Sequence, residues 1–329
     1  MTAPSEQIRA LQVTALDGPD ALRVAAVEAP AADGKVLIDV HTAGVTYPDL
    51  LMTQGKYQIQ PELPFAPGLE VAGVVREAPP GAGVEAGDRV AAYTVWGGYS
   101  EVVAVPSAHV VPLPPGVDFD VGVTLMVNYQ TAYFALAVRG GLQPGQTLLV
   151  QGAAGGVGTA AIQVGLGLGA RVLAVVRGEE KEAIARRAGA EEVIDAGGDW
   201  RAEVKRRTDG RGVDSVFDPV GGDRFDESLR VLAPDGQALV IGFAEGRIPK
   251  IPANYLLLKN IDAIGVAWGM YVEKHPEIPR RVGAALAGMI EEGHIAPIIG
   301  ATYPLAEGAR ALKDLDERRT VGKTVLELR

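Results

Sequence analysis

The chain has 329 residues, 47% of them hydrophobic and 22% charged, which is enough for two domains with a substantial buried core. The 31 Lys and Arg residues against 41 Asp and Glu give a net charge of −10, which argues against a nucleic-acid partner because phosphate binding requires a basic surface. The absence of cysteine excludes disulfides, iron–sulfur sites and cysteine nucleophiles, and the four histidines are too scattered for a local metal motif.

Two segments bear on localisation. The first residues, MTAPSEQIRALQV, contain neither a basic nor an apolar signal region, so we expect no secretory leader and a cytoplasmic protein. The uncharged run Gly140–Ala170 is long enough to cross a membrane, but ten of its residues are glycine and Pro144–Gly145 marks a turn. We therefore predict a strand, a turn and a helix there, with no membrane partner.

Residues 1 to about 126 contain short β-rich runs separated by turns that are rich in Gly and Pro. The predicted strands are 35–40, 71–75, 89–92 and 101–105. No long helical period occurs before about residue 120. This part of the chain is predicted to form a compact, mostly β domain.

From about residue 127 the pattern changes to strands that alternate with helices. The predicted strands are 147–151, 171–176, 193–195, 213–218, 237–242 and 261–266, and the predicted helices between them include 157–168, 179–188, 200–208 and 225–232. Such alternation is typical of a doubly wound parallel sheet with helices on both faces. A last helix, 277–292, and a last strand, 321–328, are surplus to that sheet. The predicted domains are therefore 1–126 with 268–329, and 127–267.

The strongest local motif is Ala153-x-Gly155-x-x-Gly158, which lies between a predicted strand and a predicted helix. A glycine loop at this junction lets the backbone approach a pyrophosphate, whose charge is stabilised by free N–H groups at the helix start. Glycines used only for helix packing would give the same pattern. The predicted cofactor-binding residues of the loop are Ala153, Ala154, Gly155, Gly156, Val157 and Gly158.

The next strand ends where a dinucleotide site places the residue that contacts the ribose. Arg177 follows Gly158 by 19 positions, and Lys181 lies one helical turn further on. An NAD site favours a carboxylate here, whereas arginine pairs with the 2′-phosphate of NADP. An ordinary charged helix start remains the alternative. We predict that the cofactor is NADPH.

Five segments of the chain together resemble a known family. The matching segments are GAAGGVGTAAIQ at 152–163, Gly87–Val90, Gly97–Glu101, Phe217–Gly222 and Leu256–Ile261. Together they resemble the medium-chain dehydrogenase/reductase superfamily and, within it, the zinc-free quinone oxidoreductase branch, which is similar to zeta-crystallin. The resemblance implies an α/β chain with a GroES-like, mostly β catalytic domain and a Rossmann domain, with NADPH between them.

Zinc-dependent members of the superfamily carry a cysteine and a histidine where this chain has Thr46 and Leu69. Threonine and leucine are not ordinary zinc ligands, so we expect no bound metal. Without a Lewis acid the acceptor must take hydride readily, as quinones and α,β-unsaturated carbonyls do.

The resemblance also implies roles for individual side chains, although core packing would explain several of the aromatic residues equally well. The implied catalytic residues are Tyr57, Thr46 and Asp49. The further implied cofactor neighbours are Tyr129, Thr131, Gly242, Phe243, Ala244, Trp268 and Arg318.

The leading hypothesis is an NADPH-dependent reductase of quinones or similar conjugated carbonyl compounds. The alternatives are an enoyl-CoA or 2-alkenal reductase on the same scaffold, or a non-catalytic NADPH-binding protein like the crystallins. The run Ile261–Ala267 comes last in the βα series and is predicted to lie at a sheet edge, which proteins normally cover or pair. We expect a homodimer through this strand, or a dimer of such dimers.

Overall fold

A computed structural model describes residues 6–329, which divide into two compact units. The first unit contains the described residues up to Val127, together with Val272–Ala284 and Ile299–Arg329. The second unit contains Asn128–Tyr271 and Ala285–Ile298.

Fifteen strands and eleven α-helices follow one another along residues 6–329. The strands are β1 (Gln7–Val13), β2 (Leu22–Glu28), β3 (Val36–Val45), β4 (Glu70–Glu77), β5 (Arg89–Tyr93), β6 (Val102–Val105), β7 (Val110–Pro112), β8 (Thr147–Val150), β9 (Arg171–Val176), β10 (Glu192–Asp195), β11 (Val213–Asp218), β12 (Leu232–Val240), β13 (Asp262–Gly265), β14 (Ile299–Pro304) and β15 (Lys323–Glu327). The helices are α1 (Tyr47–Thr53), α2 (Phe119–Thr124), α3 (Gln130–Tyr133), α4 (Gly156–Gly167), α5 (Glu179–Arg187), α6 (Trp200–Arg207), α7 (Gly222–Val231), α8 (Ala253–Lys259), α9 (Trp268–Val272), α10 (Ile278–Glu291) and α11 (Gly308–Asp316).

The first unit is built on β-strands. A sheet runs in the order β14-β15-β3-β4-β5-β7, β6 also pairs with β3, and β1 and β2 form a separate antiparallel pair. Strand β3 lies in the interior, where Val36, Ile38 and Val40 are fully buried. The C-terminal strand β15 pairs with β3, so the end of the chain returns to the domain formed by its beginning.

The second unit is a six-stranded parallel sheet in the order β10-β9-β8-β11-β12-β13. Every residue of β8 is buried, as expected for a central strand covered on both faces. The direction of winding reverses between β8 and β11, and ligands of such sheets bind outside the carboxyl ends of the strands at this point. The predicted α/β class, a GroES-like β domain with a Rossmann domain, is confirmed.

The end of α10 and the residues after it belong with the parallel sheet. The side chain of Gln163 in α4 donates to the carbonyl of Ala296 and accepts from its N–H, both at 2.9 Å. Residues 285–298 therefore group with the second unit, and 268–271 do so as well, whereas the sequence assigned both segments to the first domain.

One helical run is long and apolar enough to cross a membrane by length and composition alone. It spans Phe119–Arg139 and combines α2 and α3 with two π-helical segments, and 67% of its apolar window is buried within the protein. A single run of this kind is weak evidence, because buried core helices have the same composition. The uncharged segment 140–170 instead forms β8 and α4, the strand and helix that the sequence predicted.

Candidate functional site

The glycine loop connects β8 to α4 at the reversal point of the second unit. Its backbone is fixed to both neighbouring strands: the N–H of Gln151 donates to Phe217 in β11 at 3.0 Å, and the N–H of Ala153 donates to Val175 in β9 at 3.3 Å. The loop is therefore held at the carboxyl edge between these strands.

Two glycines of the loop have different physical roles. A Cβ on Gly158 would lie 2.3 Å from the carbonyl oxygen of Gly152, so this buried position needs glycine for packing. A Cβ on the exposed Gly155 would meet nothing closer than the same oxygen, at 3.6 Å. The fold does not itself require glycine at Gly155, which leaves an open backbone face where a ligand can approach.

The start of α4 presents unsatisfied donors at this face. Gly155 is the N-cap and has no capping side chain, and the N–H of Thr159 makes the first helical bond, to the Gly155 carbonyl at 2.9 Å. The N–H groups of Gly156, Val157 and Gly158 therefore have no helical acceptor and point out of the helix start, where an anion is also stabilised by the helix dipole. The buried Ala153 and Ala154 complete the loop without adding polar side chains.

Arg177 directly follows β9 and is exposed, and Lys181 lies in the first turn of α5 and is partly buried. Within residues 6–329 the guanidinium of Arg177 makes no hydrogen bond or ion pair. Its position at the carboxyl edge, beside the glycine loop, fits the predicted contact with a ribose 2′-phosphate.

Asp218 ends β11 on the other side of the loop and is fully buried. Its Oδ1 accepts hydrogen bonds from the N–H groups of Val220 and Gly221 at 2.7 and 2.9 Å. Its Oδ2 is buried and has no hydrogen-bond partner in the described part of the chain. Burial raises the pKa of this carboxyl to about 6. Asp218 was not predicted from the sequence, although an acidic residue that ends a buried strand before two glycines was a usable signal.

The segment Gly242, Phe243 and Ala244 follows β12 and lies against the turn after Asp218. The N–H of Ala244 donates to Pro219 at 3.1 Å, and that of Ile241 donates to the Asp218 carbonyl at 2.9 Å. The segment thus lies at the same carboxyl edge as the glycine loop.

Other residues predicted to contact the cofactor occupy the interior of the second unit. Tyr129 is buried and donates its hydroxyl to Gln163 Oε1 at 2.7 Å, and burial raises the pKa of this phenol. Thr131 is also buried. Trp268 is buried at the start of α9, directly after the last strand of the sheet.

In the first unit, Thr46 and Asp49 form the capping box of α1. The N–H and hydroxyl of Thr46 donate to Asp49 Oδ2 at 2.8 and 2.7 Å, and Tyr99 donates to the same oxygen at 3.2 Å. The N–H of Gly68 donates to Asp49 Oδ1 at 2.9 Å. Asp49 is fully buried, and burial raises its pKa to about 6. This geometry makes Asp49 a positioning group that fixes the start of α1 against the loop before β4.

Tyr57 lies after α1 and is partly buried. Burial raises the pKa of its phenol, and the negative charges of Asp49 and Glu273 raise it further. The hydroxyl therefore stays protonated at neutral pH, and the structure of residues 6–329 records no hydrogen bond from it. It can donate a proton or a hydrogen bond to a ligand.

Arg318 follows α11 with a left-handed backbone (φ 58°), and its N–H donates to the Leu315 carbonyl at 3.1 Å. This places it in the first unit. Its charge favours the ionised form of the Tyr47 phenol, although burial and Asp316 give that group a raised pKa overall.

The positions where zinc-dependent relatives have ligands hold Thr46 and a buried Leu69. The adjacent Glu70 is fully buried and forms an ion pair with the buried Lys323, whose Nζ also donates to the Val45 carbonyl at 3.1 Å. Among the residues that the structure describes, no three His, Asp or Glu side chains are grouped closely enough to hold a metal ion.

The chain matches two protein families, described as "Zinc-binding dehydrogenase" over residues 156–283 and "Alcohol dehydrogenase GroES-like domain" over residues 32–115. A Quinone oxidoreductase-like protein 2 from Bos taurus is 38% identical over 304 residues, covering 91% of this chain and 87% of its own.

Two solved structures share the whole fold. A probable oxidoreductase from Mycobacterium abscessus has a TM-score of 0.90 at 43% identity, covering 99% of this chain and 100% of its own. A mycobacterial protein solved in complex with NADPH has a TM-score of 0.91 at 32% identity, covering 98% of this chain and 100% of its own. The chain belongs to the medium-chain dehydrogenase/reductase superfamily, in its quinone oxidoreductase branch.

Proposed function

We propose that this protein is a zinc-independent, NADPH-dependent reductase that transfers hydride to quinones or similar conjugated carbonyl compounds in the cytoplasm. The observation that carries the proposal is the loop at the start of α4, where an open Gly155 and free N–H groups lie beside Arg177, which has no ion-pair partner among residues 6–329. These groups match a pyrophosphate and a ribose 2′-phosphate. The similarity to an oxidoreductase-like protein and to a structure that contains NADPH supports the same assignment.

The residues of both units have distinct tasks in this proposal. The bound nicotinamide supplies the hydride. The chain therefore has to bind and orient the cofactor and the acceptor, and to exclude water from them. The glycine loop and Arg177 bind the phosphates, with Lys181 as a further cationic neighbour in the same unit. Arg318 is also proposed as a cofactor contact. The nicotinamide end of the cofactor is proposed to contact Gly242, Phe243 and Ala244 at the edge of the sheet. This part of the second unit is supported from its interior by Tyr129, Thr131 and Trp268.

Tyr57 is proposed to donate a hydrogen bond to the oxygen of the acceptor as negative charge develops there. Its phenol is protonated at neutral pH, because burial and the carboxylates of Asp49 and Glu273 disfavour ionisation. The capping box of Thr46 and Asp49 fixes α1, from whose end the segment that carries Tyr57 extends.

Zinc independence is proposed from the residue types at the ligand positions. Thr46 has its hydroxyl engaged with Asp49, and Leu69 has no ligand atom. A hydride acceptor that is already electrophilic requires no Lewis acid. Activity should therefore survive exhaustive chelation, and metal analysis of the purified protein should find no stoichiometric zinc. Loss of turnover on chelation, with recovery on adding zinc, would overturn the proposed zinc independence.

The test of the substrate class is NADPH oxidation with benzoquinone, naphthoquinone, a 2-alkenal and an enoyl-CoA, measured side by side. We expect the quinones to give the highest kcat/KM. If the enoyl-CoA or the alkenal is turned over faster, the proposed activity is reduction of a carbon–carbon double bond and not of a quinone. Tight NADPH binding without oxidation by any of the four acceptors would indicate the non-catalytic alternative.

Two substitutions test individual roles. Tyr57→Phe should lower kcat at least ~10-fold with an unchanged Kd for NADPH, since the loss of one hydrogen-bond donor to a developing negative charge typically costs more than this. Tyr255→Phe on α8, which keeps the aromatic ring facing Arg230, is the matched control and should leave kcat unchanged.

Arg177→Asp should weaken the binding of NADPH and shift the cofactor preference towards NADH. Equal use of both cofactors by the unmodified protein would contradict the role of Arg177.

We also propose a homodimer, or a dimer of dimers, formed through β13. This strand is at the edge of its sheet, and α8 before it exposes Leu257 and Leu258, which are 75% and 78% accessible. Unpaired strand edges and exposed apolar side chains are normally covered. The N–H of Val266 donates to Val240 in β12 at 3.0 Å, so by alternation the N–H of Ala263 points away from the sheet.

A further inference from the structure

A second arginine lies across the glycine loop from Arg177. Strands β9 and β11 flank β8 in the sheet. Arg177 follows β9, and Arg224 lies in the first turn of α7, which begins four residues after β11 ends. Both residues are thus at the carboxyl edge of the sheet, one on each side of the loop between β8 and α4.

Arg224 occupies a position that is unfavourable for a cation in the absence of a ligand. Its side chain is partly buried, and it stands at a helix N-terminus, where the dipole repels positive charge. Within residues 6–329 its guanidinium makes no hydrogen bond or ion pair. Several other arginines of this unit are ion-paired, as Arg171 is with Glu192 and Arg247 with Asp223. Arg224 therefore loses hydration without compensation.

The two guanidiniums also act on each other. Burial lowers the pKa of Arg224, and the positive charge of Arg177 lowers it further, against the opposing effect of Asp218, Glu245 and Glu227. None of these three carboxylates lies close enough to form an ion pair with Arg224. Two unpaired cations that repel each other beside a phosphate-binding loop match one shared anion.

We propose that Arg224 joins Arg177 in binding the 2′-phosphate on the adenosine ribose of the cofactor, a phosphomonoester dianion held between two guanidiniums. The proposal rests on the proposed use of NADPH. It assigns specificity for the phosphorylated cofactor to residues at the ends of two different strands, whereas the sequence indicated only the segment after β9.

The experiment uses 2′,5′-ADP and 5′-ADP as probes, titrated calorimetrically against the full chain. The two probes differ in the 2′-phosphate, so the ratio of their Kd values isolates that group. Arg224→Ala should raise the Kd for 2′,5′-ADP by roughly 10- to 100-fold, as expected for the loss of a hydrogen bond between charged groups. The Kd for 5′-ADP should change by less than about 3-fold. Arg224→Gln, which keeps most of the side-chain volume, should give the same selective loss if Arg224→Ala folds poorly.

Arg187→Ala is the matched control, since Arg187 is an exposed arginine at the end of α5 in the same unit. It should leave both Kd values unchanged. If the unmodified protein binds 2′,5′-ADP more tightly than 5′-ADP but Arg224→Ala and Arg224→Gln do not reduce this preference, the role of Arg224 is refuted while use of NADPH stands. An equal loss for both probes would also refute it and would assign Arg224 to the adenine. If the unmodified protein shows no preference, the proposed cofactor fails first and this inference fails with it.

Discussion

Asp218→Asn should stabilise the protein in the absence of ligand, in a manner that depends on pH. Asp218 is buried, its Oδ1 accepts two backbone N–H groups, and its buried Oδ2 has no partner in the described part of the chain. An asparagine can keep the two accepted bonds with its carbonyl oxygen and place an uncharged amide where Oδ2 lies. The substitution removes a buried charge at little cost in packing.

The magnitude follows from the raised pKa of Asp218. Burial raises it from 3.8 to about 6, and Glu245 adds to the rise while Arg224 opposes it. A group whose folded pKa is raised contributes stability below its unfolded pKa and loses that contribution as the pH rises through its folded pKa. The loss is complete above pH 6 to 7 and amounts to about 3 kcal/mol. About 2 kcal/mol of it develops between pH 4.5 and 7.5.

The assay is the unfolding free energy of the unmodified protein and of Asp218→Asn, measured by denaturant titration at several pH values from 4.5 to 7.5. The advantage of the variant should grow by about 2 kcal/mol across this range. Weaker hydrogen bonds to a neutral acceptor, and the cost of burying the asparagine N–H groups where Oδ2 has no partner among residues 6–329, would shift all values equally and leave the slope intact. Asp49 also has a raised pKa, but it is present in both proteins, so its contribution cancels in the difference between their unfolding free energies. A difference that is independent of pH would refute the reasoning.

Three further results are expected. Gly155→Val should fold normally and abolish NADPH binding, whereas Gly158→Ala should be destabilised by about 1–3 kcal/mol because its Cβ would collide with the loop backbone; normal NADPH affinity in Gly155→Val would contradict the placement of the phosphates. Lys323→Met should cost about 3–5 kcal/mol by leaving the carboxylate of Glu70 buried and unpaired, and adding Glu70→Gln should restore most of the loss in thermal unfolding experiments. Light scattering should show a dimer that Ala263→Pro weakens, and a monodisperse monomer of the unmodified chain at micromolar concentration would exclude the proposed interface.

The sequence predicted the second unit well because its signals are local. Buried parallel strands are continuous apolar runs, and helices with charged faces follow them, so the alternation from β8 to β13 could be recognised directly. The glycine loop was equally clear, since a strand, a tiny-residue turn and a helix are adjacent in the chain. The sequence pattern did not show which of its glycines serves packing and which leaves room for a ligand. Only the geometry shows that Gly158 is needed for packing and Gly155 is not.

The parts that the sequence did not predict depend on contacts between distant segments. Strand β14 has alternating partial burial and belongs to a sheet whose centre lies some 250 residues earlier in the chain. Residues 285–298 group with the second unit, where Ala296 is hydrogen-bonded to Gln163, a contact that no local pattern encodes. Arg224 reads as one of many charged helix residues until the strand order places it across the loop from Arg177.

The unpaired charges around the glycine loop connect stability to function. Several arginines and acids of the second unit are ion-paired, but Asp218, Arg177 and Arg224 have no ion-pair partner among residues 6–329, and the buried Asp218 and the partly buried Arg224 also lose hydration. Such unfavourable groups persist where a ligand compensates them. Ligand binding should then stabilise this unit by about 2.7 kcal/mol at a concentration 100 times the Kd. Removing the charge of the partly buried Arg224 should stabilise the ligand-free protein and reduce the gain on adding NADPH. The same substitution thus moves the two quantities in opposite directions, as expected when a local cost to folding is retained for binding.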